Sequence, residues 1–422
     1  MSMTWLSATL RDVSVGGPQY GANARAIPQT GARPRYIRIT DIDGDGHLRR
    51  DGAVEAHISD GTEFLLQEGD LLVARSGNTV GKSYRHIEQN GTCIFAGYLI
   101  RFRPNPALID SRFLFYFTRS VRYRAWVAAK KRVAGQPNIN GVEYASLSLP
   151  LPAISEQRRI ADLLEQADTA TIKKTLANDK LSRFVPVLFH RMFGDQSRWQ
   201  FKSLEEYGAH VRYGLGQPPA TSANGVPLIR ATNISSGRIS EKDMIHVDPN
   251  DVPPSRDAFL KASDILVVRS GAYTGDVAQV TNKWAGSVAG YDLVVEPGDQ
   301  LTSEFLEAYL LSTYIQKGYF HALKARAGQP HLNADQLSRT PVPFVARDRQ
   351  EHFSHCIEAF RSIREENEEA TTHLLHLLPV LINQALSGDL TRTWRESNAV
   401  QIARELDQQH QLLNKRKAMQ PC

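Results

Sequence analysis

Cysteine is scarce: three residues in 422, Cys93, Cys356 and Cys422, widely spaced and odd in number. That excludes a disulfide framework and a thiolate zinc cluster, and it predicts a reduced, cytoplasmic compartment. Long apolar runs are missing as well. None approaches the ~18 residues that a membrane span requires, and the first residues hold no apolar core of the signal-peptide kind. No charge of one sign dominates, since 50 Lys+Arg face 45 Asp+Glu for a formal net charge of +5. Such a mild basic bias suits a polyanionic partner without requiring one. With 41% hydrophobic and 23% charged residues a soluble globular chain is expected, divided into two or three domains at ~150 residues each.

Catalytic signatures are missing too. Gly77-Asn78-Thr79-Val80-Gly81-Lys82-Ser83 resembles a phosphate cradle, but three residues separate its glycines where the working spacing needs four. A tight turn between strands is expected there. Asp41-Ile42-Asp43-Gly44-Asp45-Gly46 opens like a calcium loop, yet the position that requires a bidentate glutamate is Gly52, so it reads as a polar turn. No His-Glu-x-x-His pair occurs, and His352, His355, His373 and His376 read as solvated helix positions. Neither a Gly-x-Ser-x-Gly elbow nor a dinucleotide fingerprint is found. The Asn-Pro-Pro-aromatic motif of amino-methyltransferases fails at both Asn105-Pro106-Ala107-Leu108 and Gln217-Pro218-Pro219-Ala220. The expectation is a chain with no catalytic residue, no metal site and no cofactor of its own.

What the chain does have is a second copy of itself. Ile37-Arg38-Ile39-Thr40-Asp41-Ile42 recurs as Ile229-Arg230-Ala231-Thr232-Asn233-Ile234, and Asp70-Leu71-Leu72-Val73-Ala74-Arg75-Ser76-Gly77 as Asp264-Ile265-Leu266-Val267-Val268-Arg269-Ser270-Gly271. Ala96-Gly97-Tyr98 matches Ala289-Gly290-Tyr291, and Ala134-Gly135-Gln136-Pro137 with Asn140 matches Ala327-Gly328-Gln329-Pro330 with Asn333. Pro150-Leu151-Pro152 and Pro186-Val187-Leu188 return as Pro341-Val342-Pro343 and Pro379-Val380-Leu381. All six offsets lie between 191 and 194 residues. A period far above solenoid lengths makes each copy a whole structural unit.

Each copy follows one plan. Short β-rich runs come first, at Tyr36 to Ile39, Asp70 to Ala74 and Phe95 to Phe102, separated by Gly, Asn and Asp turns. Helix-like stretches follow at Ser111 to Lys131 and Ser303 to Lys324. A long helical pattern then begins with Ser155 as N-cap. Its apolar positions are Ile160, Leu163, Leu164, Ala167, Ile172, Leu176, Leu181, Phe184, Val187 and Leu188, answered in the second copy by Phe353, Ile357, Phe360, Ile363, Leu374, Leu377, Leu378 and Leu381. A helix from Ser155 to Phe193 would be ~58 Å long and needs a partner for its single apolar stripe. The other copy supplies one, so the two pair antiparallel, with Pro186 and Pro379 kinking or breaking both at the same place. The fold class is α+β: a tandem duplication of a globular α/β domain plus a long helix.

The remaining signal is a binding surface. Ser111 to Gln136 holds Arg112, Arg119, Arg122, Arg124, Lys130, Lys131 and Arg132 and no acidic residue, interleaved with Phe113, Phe115, Tyr116, Phe117, Tyr123 and Trp126. The aromatics read as core. Arginine neutralises phosphates and grips guanine edges, while Gln136, Asn138 and Asn140 offer amides that suit adenine edges. The competing reading is a loop whose amides cap helices. Contact candidates in the first copy are Arg38, Arg75, Lys82, Arg132, Gln136, Asn138 and Asn140. Their counterparts are Arg230, Arg269, Tyr273, Arg326, Gln329 and Asn333.

Taken in order, Ile-Arg-x-Thr-Asp-Ile, Gly-Asp-Leu-Leu-Val-Ala-Arg-Ser-Gly-x-x-x-Gly, Gly-Gln-Pro-x-Ile-Asn and Leu-Pro-Leu-Pro-x-x-Ser-Glu-Gln-Arg-Arg-Ile-Ala resemble the specificity subunit of type I restriction–modification systems. The resemblance spans nearly the whole chain, twice. It implies target-recognition domains at 1–150 and 196–343, spacer helices at 151–195 and 344–392 that form an antiparallel coiled coil, and a C-terminal tail at 393–422. It further implies a non-catalytic subunit reading a bipartite, interrupted double-stranded DNA target. Its partners would be methyltransferase subunits, two of them, that carry S-adenosylmethionine and methylate adenine, together with restriction–translocase subunits. One departure is visible: the second helix opens Asp348-Arg349-Gln350-Glu351 and lacks the Glu-Gln of the first. Two other readings stay open at this point, an enzyme with diverged nuclease or methyltransferase motifs and a protein-binding scaffold.

Overall fold

The computed structural model describes residues 5–49, 51–131, 137–182, 184–194, 199–324 and 331–419. Its helices are α1 (Ser111–Thr118), α2 (Val121–Lys131), α3 (Gly141–Ala145), α4 (Ile154–Ser182), α5 (Phe184–Phe193), α6 (Ser303–Leu310), α7 (Phe320–Lys324), α8 (Ala334–Ser338), α9 (Arg347–Ser387), α10 (Arg392–Ser397) and α11 (Ala399–Met419). The chain divides into two compact units, 1–174 with 370–422, and 175–369.

In the first unit Leu71–Ala74 is buried on every residue. It pairs antiparallel with Ser83–Arg85 on one side and Leu99–Phe102 on the other, with Gln19–Tyr20 at the edge. A second sheet orders Arg25–Pro28, Val54–His57, Arg35–Ile37 and Cys93–Phe95, the last pair parallel. The second unit repeats both patterns. Ile265–Val267 lies between Val277–Gln279 and Leu293–Glu296, and Thr221–Ile229 runs parallel to Val288–Ala289. Short ribbons, Leu6–Thr9 on Ser148–Leu151 and Phe201–Ser203 on Pro341–Pro343, close each domain where the proline signals stand.

The run read as Phe95 to Phe102 is two strands in different sheets. The chain crosses between them at Ala96-Gly97-Tyr98, where a Cβ on Gly97 would meet the Asn23 side chain, which a larger residue would have to displace. The stretch Ser111 to Lys131 is likewise two helices, α1 and α2, and its counterpart contains a π-helical turn at Tyr314–Tyr319.

Ser155 is not the N-cap, because α4 begins at Ile154. Its backbone N–H and hydroxyl instead donate to Glu405 Oε2 at 2.9 and 2.7 Å. A carboxylate from α11 therefore satisfies the open first turn of α4. Pro186 lies in the first turn of α5, where proline is tolerated, but α9 runs unbroken through Pro379. Leu378, Ile382 and Ala385 beside it are buried with Ile160, Ala161 and Leu164, and this packing holds the helix across the missing bond. In the second unit an antiparallel pairing is read directly: an Asn178–Asn367 hydrogen bond, Phe184 stacked on Phe360 and Phe189 edge-on to Phe353. Numbers rise along one helix as they fall along the other. The middle of the stripe is not apolar. Ile172, Leu176, Ile363 and Leu377 are exposed, while Asp168, Thr171, Asn367 and Thr371 are buried.

Candidate nucleic-acid interface

Arg75 stands where the buried strand Leu71–Ala74 leaves its sheet. Its N–H donates to the Tyr98 carbonyl at 3.0 Å, and its own carbonyl accepts from Ile139 N at 2.8 Å. Ser76 bridges Asn138, so the segment after residue 136 is drawn alongside. The guanidinium lies 4.9 Å from the Tyr20 ring centroid, and the Tyr20 hydroxyl accepts from Gly141 N at 2.9 Å. The second copy rebuilds much of this cluster, although Arg269 N donates to Asp292 Oδ1 at 3.3 Å where Arg75 N donates to the Tyr98 carbonyl. Leu332 N donates to the Arg269 carbonyl at 2.8 Å, and Ser270 bridges His331. Tyr213 accepts from Ala334 N at 3.1 Å. Here the guanidinium lies between two rings, 4.8 Å from Tyr213 and 4.3 Å from Tyr291, and donates to His331 Nε2 at 3.2 Å.

Cation–π contact worth about 0.5–2 kcal/mol holds such a fork flat, with donors left for an incoming anion. The Nε groups of both Arg75 and Arg269 are buried and without a partner among the described residues. Tyr98 and Tyr291 are 64% and 50% exposed beside them, as aromatic faces on which a base or sugar can pack. Under Arg269 lies Asp292, where the first copy has Leu99. Burial pushes the Asp292 carboxyl up to about 6 against the pull of the Arg269 N–H and charge, and its Oδ2 has no partner among the described residues.

The other candidates divide. Asn140 and Asn333 each cap a short helix in a reciprocal capping box: Asn140 Oδ1 accepts from Glu143 N at 2.9 Å and Asn333 Oδ1 from Gln336 N at 2.8 Å. Their amide oxygens are thus committed to the backbone, as the capping alternative expected. Asn138 is exposed beside Arg75, and Tyr273 is half exposed. Arg38 belongs to a separate cluster, its fork bound to buried Asp41 at 2.8 and 3.1 Å, which raises its affinity for the proton further. Lys82 Nζ donates to the Ile42 carbonyl at 2.8 Å in that same cluster. Arg230 donates to the Asp243 carbonyl at 2.5 Å. Arg132, Gln136, Arg326 and Gln329 lie outside the described residues.

Tyr20, Tyr98, Tyr213 and Tyr291 are not among the contact candidates, although Tyr20 and Tyr213, and Tyr98 and Tyr291, stand in the frame of the repeat. The Gly77–Thr79 segment is a single 3-10 turn between strands, and Asp43 Oδ1 folds its own loop by accepting from Asp45 N and His47 N at 2.9 Å. Both agree with their reading as turns. Among the described residues no helix is long and apolar enough to cross a membrane.

Residues 35–179 and 221–373 match the family model described as type I restriction modification DNA specificity domain. The chain is 23% identical over 368 residues to the EcoKI specificity subunit of Escherichia coli (strain K12), covering 80% of this chain and 78% of that protein. It is 20% identical over 349 residues to the MjaVIII specificity subunit of Methanocaldococcus jannaschii, at 75% and 79%. The crystal structure of a type I restriction-modification S subunit from M. genitalium shares the fold, with a TM-score of 0.59 at 13% identity over 91% of this chain and 96% of that one. The two matched segments contain Arg75 with Tyr98 and Arg269 with Tyr291, and this chain belongs to the family of type I restriction–modification specificity subunits, the non-catalytic components that recognise DNA sequence.

Proposed function

We propose that the chain reads a bipartite, interrupted sequence in double-stranded DNA, one half with the domain at 1–150 and the other with the domain at 196–343. It directs adenine methylation by two methyltransferase subunits, which carry the S-adenosylmethionine, and restriction by translocase subunits; all work in the cytoplasm. The supporting observation is the Arg–Tyr cluster built twice on the same backbone frame. Residues common to both copies suit what both half-sites share, the phosphate and sugar backbone. A residue that differs between the copies beside the clusters, Asn138 against His331, suits what differs, the bases. Mapping methylated adenines in genomic DNA with and without the chain tests the reading. Methylation of a two-part motif is expected to vanish without it, and an unchanged methylation map would overturn the proposal.

A further inference from the structure

Each domain grips its own long helix through ion pairs, and the sense of those pairs is reversed between the two copies. In the first unit the domain supplies the cations. Arg112 Nη1 donates to Asp162 Oδ1 at 2.7 Å and Glu165 Oε2 at 3.1 Å, and Arg85 reaches Glu165 at 3.4 Å. Arg119 Nη1 donates to buried Asp168 Oδ2 at 2.7 Å, joined by the Tyr116 hydroxyl at 3.4 Å and by His47 Nε2 at 3.4 Å. All three acceptors, Asp162, Glu165 and Asp168, are on α4.

In the second unit the helix supplies the cation. Arg361 of α9 donates to Glu307 Oε2 of α6 at 2.6 Å and lies 3.8 Å from Glu304 Oε1. Glu307 is buried and also accepts from Gln279 N at 2.7 Å. In the frame of the repeat, Asp168 and Arg361 occupy the same helix position, and Arg112 and Glu304 the same position of the first domain helix. Among the described residues one pair keeps the first unit's sense, Arg238 with Glu368, but both side chains are more than a third exposed, where an ion pair contributes little.

We infer that this inversion is a docking code, which lets each domain seat only on the helix of its own copy. Exchanged domains would place Glu304 and Glu307 against Asp162, Glu165 and Asp168, or Arg112 and Arg119 against Arg361. Either exchange buries like charges and strips buried Asp168 or Glu307 of its partner, which costs far more than an exposed pair contributes. A duplicated chain needs such a device, because its two copies present the same backbone shape and compete for the same helices during folding. Shape alone does not discriminate between them; charge does.

A cycle of full-length variants tests the code. One variant gives α4 the charges of the second copy (Asp162→His with Asp168→Arg), a second gives α1 the second copy's sign (Arg112→Glu with Arg119→Glu), and a third combines them. Each of the first two is expected to lower the first unit's melting temperature by about 5 °C or more and to speed deuterium uptake in Ser111–Thr118. The combined variant recovers at least half of both losses, while uptake in Ser303–Leu310 stays constant throughout. Additive losses in the combined variant would overturn the inference. Should melting be irreversible, deuterium uptake alone decides, since it is read on the folded chain.

Discussion

Arg269 is a half-buried cation held flat between Tyr213 and Tyr291, and its donors are the strongest anion-binding groups of its cluster. Arg269→Ala is expected to weaken DNA binding and to lower the slope of log affinity against log salt by about one, the signature of one lost phosphate contact. Tyr291→Ala should weaken binding by about 1–3 kcal/mol while leaving that slope unchanged. Binding isotherms at several salt concentrations separate the two. Asp292 beneath them gives a pH dependence. Its carboxyl titrates near 6 in the folded chain against 3.8 unfolded, so the raised pKa contributes stability that is complete below pH ~4. That stability falls away as pH rises through about 6, a loss of about 3 kcal/mol. Asp292→Asn keeps the acceptor for the Arg269 N–H and removes the charge. Its melting temperature should therefore exceed that of the parent at pH 7.5, with the gap closing near pH 4. An equal gap at both pH values would exclude Asp292 as the titrating group.

At the scale of elements, the Glu-Gln pair that opens the first long helix has two separate tasks. Gln157 Nε2 donates to the carbonyls of Leu108 and Pro152 at 3.0 and 2.8 Å, and Gln350 does the same to Gln300 and Val345 at 3.2 and 2.9 Å. The glutamine is therefore present in both copies. Glu156 is fully buried and accepts from Trp5 Nε1 at 3.0 Å, Thr391 Oγ1 at 2.6 Å and Arg395 Nε at 2.7 Å. It anchors α10 and α11, which follow the repeat and dock on the first unit, where Gln409 also donates to the Leu108 carbonyl at 2.9 Å. The second copy has Arg349 at that position, directed at Met192 and Phe193. The departure seen in sequence thus marks where the tail docks. Arg395→Ala leaves Glu156 charged and buried without its cation, and should cost about 3–5 kcal/mol. Thermal melting and early proteolysis within 392–419 are the measurements. Such element-level facts were only partly legible. Apolar periodicity located α4 and α9 but misplaced Ile172, Leu176, Ile363 and Leu377, because the centre of the paired stripe is polar and periodicity counts only apolar residues. The break in Phe95–Phe102 was hidden for the opposite reason, both strands being apolar on either side of one glycine.

For the molecule as a whole the duplication was the legible feature, since a repeat is read by comparing the chain with itself and needs no energetics. It carries fold, domain count and family resemblance together. What it conceals is whatever the copies do not share, such as the reversed ion pairs, the acid under Arg269 and the one-sided tail. Those differences arise from side-chain partners distant in sequence, which no local pattern encodes. The duplication also predicts a division of labour in recognition. Base contacts are local to the domain that makes them, while phosphate contacts set position without carrying sequence. Substituting Asn138 in the first copy should change the preferred bases in one half of the bipartite motif and leave the other half as it was. Substituting His331 at the equivalent position should do the reverse, since it sits against Arg269 and not Arg75. Methylated-adenine mapping in cells carrying each variant reads both halves at once. Independent domains give a motif altered on one side of the gap, by about 1–3 kcal/mol of discrimination per base pair. A variant in either copy that rewrites both sides would mean that the two domains do not read separately.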